Sequence, residues 1–413
     1  MEDHDQISWK IVYLATTFSL LVLGIAYYFM SPQDATFFSK EKTEKIAEFK
    51  STRVSGRKQG KKIWEFSALE GWTITDRSAT FLKDVTDGDL YINEKLAVTK
   101  LVAPLAKAYQ GSEVVEAFGY PTGEKKGESK LTALLNLGRM SDPKNEKATE
   151  WTKLVADSLK YDPNKKVSEI QGDIKLAKKD STIYSQYMMV YHEAKTATIY
   201  GDLRLERSDG TLRSDKLFYY SQDEKLEAKE NVDITIKNKG LTTKIKTNQA
   251  IFYNEISEPM TFYGSIEVSQ PKKLAIAKQG FYSQKENKLV LSQGVKAIFE
   301  KASAIIGDDS AKKLKGEKEQ EVLKEKTLLN SDKLVFSTRS GDATASGSVH
   351  VTQKGKEAKS DQAIFNDESD ILTLTGNVYI KQEDGWVSAK QVIVSVADET
   401  LEATGSVEAK FKL

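Results

Sequence analysis

Few side chains in this sequence could carry out chemistry, and none has the company that chemistry needs. There are three histidines, His4, His192 and His350. His192-Glu193 lacks the second histidine that a zinc-binding helix requires, His350 lies on a polar phase between Val349 and Val351, and His4 is near the start of the chain. Asp308-Asp309 could hold a cation from a loop, but a solvated pair is the plainer reading. Gly56-Arg57-Lys58-Gln59-Gly60-Lys61-Lys62 is one residue short of a phosphate loop, lacks the Ser/Thr and precedes a strand pattern. There is no cysteine and no Gly-x-Ser-x-Gly elbow. The sequence therefore predicts no catalytic residue, metal site or cofactor. A net charge of +1 gives no field for nucleic acid.

What remains is apolar. Hydrophobic residues make up 39% of the 413 residues and charged residues 29%, a globular balance with only 7 prolines. A unit of about 29 residues recurs. In each unit a small or polar residue leads, and about 16 positions later comes a glycine in every unit but one, where Glu230 stands. The leads are Ala103, Ala156, Ser185, Ser214, Asn248, Lys278, Ser331, Ser360 and Ala389. Their partners are Gly119, Gly172, Gly201, Glu230, Gly264, Gly294, Gly347, Gly376 and Gly405. Between them the pattern has period two, which puts one set of side chains on one face of a strand. Residues three and five after the leads include Tyr161, Met188, Leu217, Tyr219, Ile251, Tyr253, Phe281, Leu334, Phe336, Phe365, Val392 and Val394. Residues two and four after the glycines include Val378 and Ile380. The residues between are mostly Lys, Asp, Gln, Thr and Ser, so the other face meets water. Each unit reads as two antiparallel strands, with the glycine at a bend or bulge.

The units need an anchor and tolerate interruptions. Residues 1–10 form a polar tail. Residues 11–30, IVYLATTFSLLVLGIAYYFM, carry no charge and would span about 30 Å as a helix. No small-x-small cleavage site follows, so the sequence predicts an uncleaved transmembrane anchor. Residues 31–50 read as a connector and 51–125 as a divergent β segment. Residues 126–155 read as an insertion, with a short helix possible over Asn145–Leu159. Residues 156–310 and 328–413 carry the repeats, separated by a charged loop or solvated helix at 311–327. The last strand holds Val407, Ala409 and Phe411 with no cap, an edge open to strand addition by a partner.

Ser360-Asp361-Gln362-Ala363-Ile364-Phe365, then Leu372-Thr373-Leu374-Thr375-Gly376-Asn377-Val378, resembles the OstA-like repeat of lipopolysaccharide-transport bridge proteins. Gly60–Ala68 and Leu101-Val102-Ala103-Pro104, with the single anchor, resemble the start of an LptC domain, here lengthened by LptA-like repeats. The resemblance implies an all-β fold: an N-terminal transmembrane helix, then an elongated open β-jellyroll of serial antiparallel strand pairs. It implies lipopolysaccharide acyl chains in an apolar groove lined by the inward residues named above. It also implies an inner-membrane lipopolysaccharide ABC transporter as one partner. The other partner would be an LptA-like bridge or an outer-membrane assembly protein on the C-terminal edge. The chain would be single-pass in the inner membrane with its C-terminal domain in the periplasm. A membrane-anchored adhesive or structural β-solenoid is the competing reading.

Overall fold

The computed structural model describes residues 45–119, 130–137, 151–178, 181–238, 240–253, 258–300, 326–353, 356–382, 385–395 and 400–411. The predicted anchor at 11–30 lies outside the described residues. Among the described residues no helix is long and apolar enough to cross a membrane.

The described residues form one antiparallel sheet of 24 strands, in which chain neighbours pair except within the split rungs. The first four strands are β1 (Lys45–Lys58), β2 (Lys61–Ile74), β3 (Ala79–Ile92) and β4 (Lys95–Tyr109). The next two rungs are split. β5 (Val115–Phe118) and β6 (Leu131–Leu135) together pair with β4, and β8 (Ser158–Asp162) and β7 (Thr152–Ala156) pair with them in turn. Both then pair with β9 (Val167–Lys178).

A regular meander follows. It runs through β10 (Ser181–Tyr191), β11 (Thr196–Arg207), β12 (Gly210–Tyr220), β13 (Lys225–Asn238) and β14 (Leu241–Tyr253). It continues through β15 (Met260–Gln270), β16 (Lys273–Ser283), β17 (Lys288–Glu300), β18 (Lys326–Ser337) and β19 (Ala343–Gln353). β20 (Lys356–Asn366), β21 (Ile371–Gln382) and β22 (Gly385–Ser395) come next. The last rung is again split, β23 (Thr400–Thr404) and β24 (Glu408–Phe411) both pairing with β22.

Two expectations change here. Residues 152–156 and 158–162 are strands, not a helix, because their apolar residues also fit period two and the sheet supplies partners on both sides. β1 begins at Lys45, inside the stretch read as a connector. The hairpin at Gln59-Gly60, with φ of 46° and 80°, accounts for the phosphate-loop-like segment as a tight turn between β1 and β2.

From β9 to β22 the strands bend at one level, where one strand of each pair carries one residue more than the other. At alternate pairs two residues face three, as where Asn330↔His350 gives way to Lys333↔Ser346 between β18 and β19, and at the pairs between, two face one, as between β19 and β20. The three-residue side carries paired left-handed residues such as Gly347 (φ 75°) and Ser348 (φ 45°), or Glu230 (62°) and Asn231 (50°). The two-residue side carries the repeat's lead. Ser185, Ser214, Thr247, Ser331 and Ser360 each donate a hydroxyl to the carbonyl two residues on. Glycine suits 376, where φ is 74° and a Cβ would crowd Asp361 Oδ2 at 2.4 Å, although Glu230 takes the same place in β13 at φ 62°. The repeat's polar signature is thus a corner device, which also aligns the inward faces.

Candidate functional site: a closed apolar interior and its seam

The corner folds the sheet on itself. Turns of a meander alternate between its two edges, and in a flat sheet the two edges stay a strand's length apart. Here they touch. Tyr161 Oη on β8 donates to the carbonyl of Tyr91 at the opposite end of β3, at 2.7 Å. Lys58, closing β1, reaches Glu113 (2.8 Å) and Asn164 across the seam. Arg207 reaches Gln284 at 3.1 Å while its own turn's Asp209 holds it at 3.0 Å. Asn238 donates to Asn287 Oδ1 (3.2 Å) and Thr338 Oγ1 (3.1 Å). Gln270 donates to the Ser337 carbonyl at 3.3 Å. Lys273 donates to the Gly341 carbonyl and to Asp367, and Phe299 packs on Phe365 with ring centres 5.4 Å apart. Counting each split rung once, every one of these links joins a turn or strand end to one three or five rungs further along.

The inward residues accordingly form a continuous core. Tyr161, Met188, Leu217, Tyr219, Leu334, Phe336, Val378, Ile380 and Val392 are buried, and Phe365 and Val394 are half-buried. The expected trough is shut where these links cross it and less covered toward β22–β24, where Leu401 and Val407 are exposed. Alternation in sequence cannot tell a lining from a packed core, since both are apolar on one face.

Three candidates fall on the wrong face. Ile251 and Tyr253 are half-buried on the opposite side from Ala250 and Phe252, which are buried. Phe281 is 40% exposed, while Tyr282 beside it is 1% exposed. The cause is a slip of one residue. In β15 the loop before the glycine is one residue longer, so Thr247, not Asn248, holds the lead place. In β17 the glycine takes the second left-handed place after Gln293 (φ 66°), so Ala277, not Lys278, leads. The buried hydroxyl of Thr247, in a position like that of Ser331, was the available signal.

The polar groups of the interior lie at its margins. His192 Nε2 is 2.8 Å from Ser168 Oγ, and its ring meets Tyr161 edge-on. Burial pulls its pKa down to about 4 and pushes the Tyr161 phenol up. Lys273 is an inward-facing cation whose side chain is 3% exposed. Burial lowers its pKa, and the Asp367 carboxylate pulls the other way. His350, half-exposed, stands 3.8 Å from Glu357. Among the described residues no group of three or more His, Asp or Glu could hold a metal ion.

Comparison with known proteins places the repeat. Residues 149–308 match the model of the OstA-like protein family. Residues 357–413 match the LptA/(LptD N-terminal domain) LPS transport protein family. The chain belongs to the lipopolysaccharide-transport bridge family. Its β domain carries lipopolysaccharide-transport modules of this kind. Among solved structures it is similar to LptH, the LptA homologous periplasmic component of the lipopolysaccharide transport device from Pseudomonas aeruginosa. That likeness has 9% identity and a TM-score of 0.25, covering 27% of this chain and 82% of LptH. No curated protein matches.

Proposed function

We propose that this chain conducts lipopolysaccharide from an inner-membrane ABC transporter toward the outer membrane, holding the acyl chains in its apolar interior. The observation that carries the reading is the continuity of that interior, from Trp64 to Val392, within a fold of the bridge family. Each methylene withdrawn from water contributes roughly 0.8 kcal/mol, so a multi-acyl lipid needs such a path to cross an aqueous space. Twenty-odd rungs at about 4.8 Å each give a track on the order of 100 Å. The interior recognises hydrocarbon and little else, which suits a carrier whose energy is supplied elsewhere.

Residues 11–30 would hold the chain in the inner membrane as a single span. The transporter would dock at the β1 edge. The C-terminal edge would receive an LptA-like bridge or an outer-membrane assembly protein by strand addition. There β24 pairs with β22 on one side, placing Ala409 opposite Val387 and Phe411 opposite Gly385, and Val407 is 48% exposed. Deleting residues 405–413 should abolish capture of the bridge partner in a pull-down, and unchanged capture would remove this docking assignment.

One observation favours the second reading, a membrane-anchored structural scaffold: the interior is filled by its own side chains. Photo-crosslinking in cells from Tyr219 and Phe365 separates the two. The carrier yields adducts with lipopolysaccharide, and the scaffold yields none at any inward position.

A further inference from the structure

A tube filled by its own side chains cannot be threaded from its end by a lipid with a hydrated sugar head. The head would be drawn through a core in which Leu217, Leu289, Leu291 and Leu334 are 0% exposed, and burying unpaired polar groups there is prohibitive. The fold offers one other way in. The line where its two edges meet is held by side-chain links, not by strand ladders, so it can part without breaking the sheet's backbone pairing. Resting on the lipid-carrier reading, we propose that this seam is the entrance: acyl chains enter sideways as it parts locally, and the head stays outside.

The links favour local opening. From β11 to β20 each is made by one or two side-chain hydrogen bonds, through Arg207–Gln284, Asn238–Asn287/Thr338 and Gln270–Ser337. Each joins turns only three or five rungs apart, so a few rungs can open while their neighbours stay shut. Lys273 is the firmest latch. It is buried, lies over the Phe365 ring at 5.2 Å, and ties its own turn to two others through Gly341 and Asp367. Lys273 thus holds the seam shut, a positioning residue of the seam itself.

The chain has no cysteine, so a staple can be introduced cleanly. Full-length protein in membranes would carry Asn238→Cys and Thr338→Cys, joined by a short bis-thiol linker, with a photo-crosslinker in place of Phe252. The probe is purified lipopolysaccharide. Stapling should cut interior labelling at least tenfold, while either cysteine alone should label at least as fast as the parent. Equal labelling of stapled and unstapled protein would overturn the seam as entrance and leave the carrier reading intact. No labelling in any form, the parent included, would overturn both. Lys273→Met, with the seam unstapled, should raise the labelling rate two- to threefold, and an unchanged rate would overturn its role as latch.

Discussion

Phe336 and Phe365 occupy the same place in successive units, five residues after a serine whose hydroxyl caps its own corner. Phe336 is 1% exposed, whereas Phe365 is half-buried and Val394, one unit further, is half-buried too. Both rings sit at the seam, and Phe365 is itself met by Phe299 and Lys273 from earlier rungs, so the difference lies in how fully the crossing turns cover each ring. Around Phe336 the turns of β13–β14 and β15–β16 arrive from earlier rungs, bringing Asn238 and Gln270 onto Thr338 and Ser337. Beyond β22, Leu401 and Val407 stand 40% and 48% exposed. One repeat thus builds a shut interior where staggered turns can meet and an uncovered face where they cannot.

Truncating the two phenylalanines tests this most strongly. Phe336→Ala should cost about 3–5 kcal/mol in chemical denaturation, because the rigid surroundings leave a cavity. Phe365→Ala should cost about 1–2 kcal/mol, since part of its ring already meets water. Equal losses would break the comparison.

His192 sharpens it at the other end of the closed stretch. The unfolded chain protonates this ring near pH 6.5, the folded chain only near 4. The unfolded state therefore binds the extra proton as pH falls between those values. Stability conferred by the buried neutral ring is full above about 6.5 and is lost toward 4, by at most about 3 kcal/mol. His192→Leu should flatten that part of the pH dependence relative to the parent. An identical slope in both proteins would mean that the ring is not buried neutral.

Smaller effects probe the corner and the register. Gly347 has φ 75° and a Cβ there would stand 2.4 Å from Asp332 Oδ2, so Gly347→Val should cost about 1–3 kcal/mol. Phe281→Ser, on the outer face, should change stability by no more than about 0.5 kcal/mol.

Much of this was legible in the sequence. Alternation fixed the faces of β10, β12, β18, β20 and β22, and the glycine offset located their corners. The reading slipped where one loop residue or one displaced glycine moved the phase, at Phe252 and Tyr282. It also failed at 152–159, where short apolar spacings fit helix and strand alike. The seam left no periodic trace. Its partners, such as Lys273 and Asp367, are ordinary turn residues that meet only because the sheet folds at its corners. Openness was illegible for the same reason.

Phe281 and Tyr282 are chain neighbours on opposite faces, so together they test the central claim most directly. A photo-crosslinker placed at each position in turn, in cells making lipopolysaccharide, reports which face meets the lipid. The account predicts lipopolysaccharide adducts from position 282 and none from 281. Adducts from 281 at equal or greater yield, or none from either, would contradict it.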